Sequence, residues 1–173
     1  AEIGHQWSAS VDRGRYHRLD VTSAEDWERL AKELGGQSGR VDILVHCAAV
    51  EVIKSLADTT YEDWRKLMSI NLDALYVGTR ALLPLLTNAG EQRESGASIV
   101  IISSTAGTSG SANQIAYCAS KGGGRLFSKA CAIEFSAQKR NIRCNSILPG
   151  MVDTPMLNSF TPVLMESGLA ATP

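Results

Sequence analysis

The chain has 173 residues, enough for one domain with a substantial core. An apolar fraction of 44%, a charged fraction of 20% and a formal net charge of −1 exclude the basic excess of a nucleic-acid or anionic-membrane binder. No apolar stretch approaches the length of a membrane span and no charged start leads into a long apolar run, so the sequence reads as cytoplasmic.

In chain order, residues 16–21 read as a short strand. Thr22 then caps a helix, with Glu25 three residues on completing a capping box. Trp27, Leu30, Ala31 and Leu34 give that helix an apolar face, and Gly35-Gly36 end it. Residues 41–49 form a continuous apolar run, as a parallel strand covered on both faces would. Thr60 opens the next helix, with Trp64, Leu67, Met68, Leu72, Leu75 and Leu82 as its core stripe, and Pro84 kinks or ends it. A polar loop is expected over residues 88–97, and residues 98–102 are a strand rich in β-branched side chains. After a Ser/Thr/Gly stretch, a helix runs from about 115 to 137. Residues 141–148 are a further strand, halted by Pro149-Gly150, and a loop with room for one short helix follows.

Strand alternating with helix implies an α/β architecture with a mostly parallel sheet, in one domain spanning residues 1–173. Ligands of such sheets bind outside the carboxyl ends of the strands. Ala48 and Ala49 end one strand, Ser103 and Ser104 follow a second, and Pro149 and Gly150 follow a third. Three remote regions therefore converge on one crevice.

Tyr117 and Lys121 are four residues apart on a predicted helix, so they share a face. A free tyrosine has a pKa near about 10, and a neighbouring ammonium lowers it, making the phenol a usable proton donor or acceptor. Taken alone this spacing is common. Ser104, thirteen residues earlier at a strand end, adds a hydroxyl able to hold a carbonyl or alkoxide oxygen. Residues 149–155 add a turn, exposed backbone groups and a hydroxyl at the same sheet edge. The four cysteines, Cys47, Cys118, Cys131 and Cys144, form no C-x-x-C pair and read as free thiols. His46-Cys47 has no second ligand pair, so no metal site is expected.

Several segments, in order and at compatible spacings, together resemble the short-chain dehydrogenase/reductase family. They are DVT (20–22), DILVHCAA (42–49), INLDALY (70–76), IVIISSTAG (99–107), YCASK (117–121) and RCNSILPGMVDTP (143–155). The resemblance implies a Rossmann-like doubly wound parallel sheet with helices on both faces. It also implies a catalytic tetrad of Asn71, Ser104, Tyr117 and Lys121 interconverting a secondary alcohol and a ketone. Tyr117 would be the general acid or base and Ser104 would polarise the substrate oxygen. Lys121 would lower the tyrosine pKa and bind the nicotinamide ribose, and Asn71 would hold a water through its backbone. The implied cofactor is NAD or NADP, with a lean to NAD. Asp20 and Val21 would lie against its adenine, Ala48 and Ala49 beside its ribose, and Pro149, Val152 and Thr154 around its nicotinamide. Residues 105–114 and 151–160 would wall the substrate pocket. Val50, Ile115, Met156, Leu157 and Phe160 suggest a hydrophobic alcohol or ketone, with neither nucleic acid nor membrane as partner.

The sequence departs from the family at three places. No glycine-rich phosphate turn follows a strand and opens a helix, and the pattern lacks the family's C-terminal end. The fold is therefore expected to be incomplete, with this 173-residue polypeptide alone binding dinucleotide weakly and lacking activity. The family's Asn-Asn-Ala-Gly appears as His46-Cys47-Ala48-Ala49, with His46 and Cys47 expected as packing substitutes. Gly122-Gly123-Gly124 interrupt the catalytic helix and are expected to let it pack on a neighbouring subunit in a homo-oligomer, a dimer or tetramer. A catalytically silent relative or fragment serving as an interaction protein is the alternative. A hydrolase built on Ser104 lacks the G-x-S-x-G elbow.

Overall fold

The computed structural model describes residues 14–158. Residues 16–21 are not a strand. Among the described residues they pair with no sheet, and local turn chemistry fixes their end. The Thr22 N–H and hydroxyl both donate to Asp20 Oδ1, at 2.9 and 2.7 Å, and the Ser23 N–H donates to the Asp20 carbonyl at 3.0 Å. With the Thr22 hydroxyl committed, Ser23 becomes the cap of helix α1 (Ala24–Gln37), accepting from the Asp26 N–H at 3.1 Å. The helix also runs through Gly35 and Gly36. Its end is set by Gly39, whose left-handed φ of 68° lets Ser38 and Gly39 both donate to the Leu34 carbonyl.

Strand β1 (Ile43–His46) is shorter than the apolar run that contains it. Thr60 caps α2 (Tyr61–Met68) in a reciprocal box with Asp63, as the sequence predicts. A π-helical turn, Ser69–Asp73, then leads into α3 (Ala74–Gln92). Pro84 neither ends nor interrupts α3, and the expected loop over 88–97 shrinks accordingly. Pro84 is exposed, so the carbonyl it leaves unpaired faces water, while Leu82, Leu85, Leu86 and Ala89 carry the buried stripe past it. Strand β2 (Ala97–Ile102), helix α4 (Ile115–Ala137) and strand β3 (Ile142–Ile147) fall within a residue of expectation.

The three strands are parallel, in the order β1-β2-β3, with Leu44, Ile99 and Cys144 in one row and Val45, Val100 and Asn145 in the next. The first row is buried in the core with Trp27, Leu82, Leu86 and Phe135. The opposite face carries Ile43, Val45 and Ile147, each more than half exposed. Helices on both faces were expected; among the described residues they cover one. Both crossovers step the same way along the sheet, and crossovers of one hand then lay their helices on the same side.

Gly123 and Gly124 pack closely against α3 and the turn before it within this chain. A Cβ at Gly123 would lie 2.9 Å from the Leu72 side chain, and one at Gly124 would lie 3.1 Å from Leu75. No described helix is long and apolar enough to cross a membrane.

Candidate active site

The site forms where β2 runs out. The Ser103 N–H extends the ladder to the Ile147 carbonyl at 2.8 Å, and its buried hydroxyl donates to the Lys121 carbonyl at 2.8 Å. Ser104 then caps a single 3₁₀ turn, Thr105–Gly107, its hydroxyl accepting from the Ala106 N–H at 3.2 Å. The Thr105 N–H reaches across to the Pro149 carbonyl at 3.0 Å, tying the loops after β2 and β3 together. Gly107 seats the turn against α4: a Cβ there would lie 2.8 Å from the Lys121 carbonyl carbon and oxygen. Gly107 was not singled out in the sequence, because only the helix packing reveals why it must be small.

Tyr117 and Lys121 lie one turn apart on the buried face of α4. The Lys121 ammonium is 5.5 Å from the Tyr117 ring centroid and donates to the Ile102 carbonyl at 2.8 Å. Ser104, Tyr117 and Lys121 are thus brought together as the sequence spacing suggests. Their electrostatics differ from expectation. Burial raises the Tyr117 pKa, the Glu51 carboxylate raises it further, and the Ser104 side-chain hydrogen bond only partly offsets this. The expected lowering by Lys121 is not among the causes of this shift; its ammonium is hydrogen-bonded to the Ile102 carbonyl. Burial pushes the Lys121 pKa down, while Cys47 and Glu51 pull it back up.

Asn71 sits in the π-helical turn and is buried. Its Oδ1 accepts from the Val50 N–H at 2.9 Å, and its Nδ2 donates to the Val50 carbonyl at 2.8 Å and to Ser120 Oγ at 3.2 Å. A role for its backbone was expected; here its side chain clamps the segment leaving β1 to α4. The extra residue of a π turn is what re-aims a side chain in this way.

Glu51 was missed. It is half-buried and accepts a hydrogen bond from Gln114 Nε2. Burial raises its pKa, while Gln114 and Lys121 draw it back down. The one sequence signal was a lone acid between apolar residues, two positions beyond Ala49 at a strand end.

The remaining predicted residues divide into three groups. Ala48 is exposed and Ala49 half-buried after β1, while Pro149 follows β3, so these flank β2 at the carboxyl edge. Val152 and Thr154 are exposed, and Thr154 Oγ1 accepts from the Leu157 N–H at 3.3 Å. Asp20 and Val21 belong to the turn opening α1, and their polar contacts are local, to Thr22, Asp26 and Trp27. Cys47, expected as a buried packing residue, is exposed, because the alternation along β1 turns it away from the helices. His46 does pack, edge-on to Trp27. Phe160 lies outside the described residues. A groove of about 770 Å³ lined by Thr87, Gly90, Arg140 and Asn141 opens at the other, amino-terminal edge of the sheet, away from this chemistry.

Known proteins resemble this chain in sequence and in fold. Residues 2–163 match the family described as short chain dehydrogenase. Over 159 residues the chain is 38% identical to a cyclopentanol dehydrogenase of Comamonas sp. (strain NCIMB 9872), covering 90% of this chain and 61% of that protein. It is 35% identical over 163 residues to an NADP-dependent (R)-specific alcohol dehydrogenase of Lentilactobacillus kefiri, covering 92% and 63% respectively. A crystal structure of a short-chain dehydrogenase from Streptomyces avermitilis superposes with a TM-score of 0.80 at 29% identity, covering 90% of this chain and 55% of the other. The chain thus spans about three fifths of the length of these curated relatives.

Proposed function

This chain belongs to the short-chain dehydrogenase family, and we propose that the protein it forms part of is a nicotinamide-dependent oxidoreductase interconverting a secondary alcohol and a ketone. One observation carries the reading. A phenol, a serine hydroxyl and a lysine ammonium, separate in sequence, meet at the carboxyl edge of a parallel sheet. Alcohol oxidation needs an oxygen held beside a group that can take its proton.

The Tyr117 hydroxyl and Lys121 ammonium fit the nicotinamide and ribose end of a dinucleotide as donors, and Ala49, Pro149, Val152 and Thr154 are the residues assigned to complete that site. No glycine-rich turn opens a helix at a strand end among the described residues, since Gly35, Gly36 and Gly39 fall at the end of α1. The cofactor supplies hydride acceptance or donation at the substrate carbon.

This chain's residues handle the proton. Ser104 donates to the substrate oxygen and holds it against Tyr117. In oxidation the Tyr117 phenolate removes the hydroxyl proton as the hydride leaves; in reduction the neutral phenol returns it. A phenol held above its ordinary pKa suits the acid role at neutral pH and requires alkaline conditions for the base role. Lys121, anchored on the Ile102 carbonyl, holds the nicotinamide ribose. Asn71 keeps the Val50 segment against α4, and so keeps the site's wall in place. The names of the relatives support alcohols as the substrate class.

The test is Tyr117→Phe in the full-length enzyme, with cyclopentanol and cyclohexanol as substrates and NAD or NADP as oxidant. Turnover should fall by about a hundredfold or more, while dinucleotide binding, measured by fluorescence titration, stays near that of the wild type. Retained turnover removes tyrosine from the proton-transfer role.

A further inference from the structure

Glu51 takes no part in the proton transfer derived above, yet it is built into the site from both sides. Its chain neighbour Val50 is gripped at N–H and carbonyl by Asn71. Three residues on, Lys54 forms a bridge with Gln114, its N–H donating to the Asn113 carbonyl at 2.8 Å and its ammonium to Asp63 at 2.6 Å. Gln114, the residue before α4, donates to one Glu51 oxygen. The backbone around Glu51 and the carboxylate itself are therefore fixed relative to Tyr117, three residues into the same helix.

An ionised carboxylate offers about four acceptor positions, and Gln114 fills one. A half-buried carboxylate needs further donors from water or from a bound molecule. Glu51 and Lys121 act on each other's charge, so the neighbourhood already holds a balancing cation and suits a neutral donor. Beside it, the partly buried Val50, Val52, Trp64 and Ala106 pack against Leu67, Ala116 and Tyr117, so the surroundings of the carboxylate are apolar. A purely hydrophobic pocket, as the sequence suggested, would contain no such acceptor.

We propose that Glu51 is a specificity-determining residue: fixed by Gln114 near the Tyr117 phenol, its carboxylate accepts a hydrogen bond from a second hydroxyl of the substrate. The preferred substrate is then a cyclic diol or hydroxyketone, oxidised or reduced at one oxygen and held by the other. This rests on the dehydrogenase reading above. A site built to accept a substrate hydroxyl discriminates against the analogue lacking it, because the half-buried carboxylate then loses a donor where the bound ring restricts water.

The experiment is steady-state kinetics of the full-length enzyme, with cyclohexanol and the cyclohexanediol isomers measured under the same conditions. The wild type should favour at least one diol by kcat/KM. Glu51→Leu should lower the diol-to-cyclohexanol ratio by about tenfold or more, whatever happens to the common rate. Glu51→Gln keeps the shape and an acceptor but loses the charge, and should lower the ratio by about threefold or more. It carries the test if the leucine variant does not fold. A wild type that prefers cyclohexanol, or a smaller change of the ratio in the folded variants, overturns the role given to Glu51 while leaving the dehydrogenase reading standing. A folded wild type that oxidises neither alcohol with either dinucleotide overturns that reading, and this inference with it.

Discussion

His46, where the family pattern places an asparagine, ends β1 beneath α1 and α3. Its Nε2 shares a hydrogen bond of 3.0 Å with Thr79 Oγ1. Burial pushes its pKa from 6.5 down to about 4, so the folded protein holds the imidazole neutral. Unfolding releases it to take a proton. Between those two pH values the unfolded chain binds more protons than the folded one, so stability is full above the window and falls as pH drops through it. The loss attributable to His46 is about 3 kcal/mol across the window. Urea unfolding titrations of the wild type above pH 6.5 and near pH 4 should show it, and His46→Gln should flatten that dependence. Equal pH dependence in the two proteins would mean that His46 is not buried as neutral imidazole. Cys47, the next residue, points the other way and is exposed. Adjacent residues of a strand face opposite sides, and with helices on one face only among the described residues, His46 packs and Cys47 does not.

At the scale of elements, the site depends on how closely the turn after β2 sits on α4. Gly107 is the contact point, facing the Lys121 and Gly122 backbone. Gly107→Ala must separate turn and helix by some tenths of an ångström, and backbone atoms cannot yield as a side chain would. The variant should lose about 1–3 kcal/mol of stability and also turnover, because Ser104 rides on the turn and Tyr117 on the helix. Gly110→Ala, three residues on where nothing lies within 4 Å, should leave stability within about 0.5 kcal/mol. Chemical denaturation of both variants checks this, and equal behaviour would remove Gly107 from the packing argument. The π-helical turn Ser69–Asp73 is the other element-scale device. It joins two helices that read as one long helix in the sequence, and it rotates Asn71 onto Val50.

At the scale of the whole molecule, the described sheet is covered on one face and bare on the other. Val45 is 52% exposed and Ile43 64% exposed on β1, a strand with a partner on one side only among the described residues. An exposed apolar edge strand attracts hydrophobic contacts. The 173-residue chain should therefore bind a hydrophobic dye, and Val45→Lys should reduce that binding while leaving the far-UV circular dichroism spectrum intact. Loss of the spectrum in Val45→Lys would show instead that Val45 is buried in the folded chain.

The sequence by itself determined what depends on near neighbours. The β-branched run of β2, the uninterrupted pattern of α4, and the placing of Tyr117 and Lys121 on one helical face all follow from side-chain periodicity and backbone geometry. Its place at a strand end added Ser104, and the family resemblance added Asn71. The tertiary structure decided what depends on lateral partners. Residues 16–21 have strand-like composition but pair with no strand among the described residues, and Pro84 sits within a helix because packing holds it there. The phenol's environment is set by burial and by Glu51, far from Tyr117 in the sequence. Desolvation and Coulomb interactions act through space, and no spacing along the chain encodes them until the fold brings the groups together.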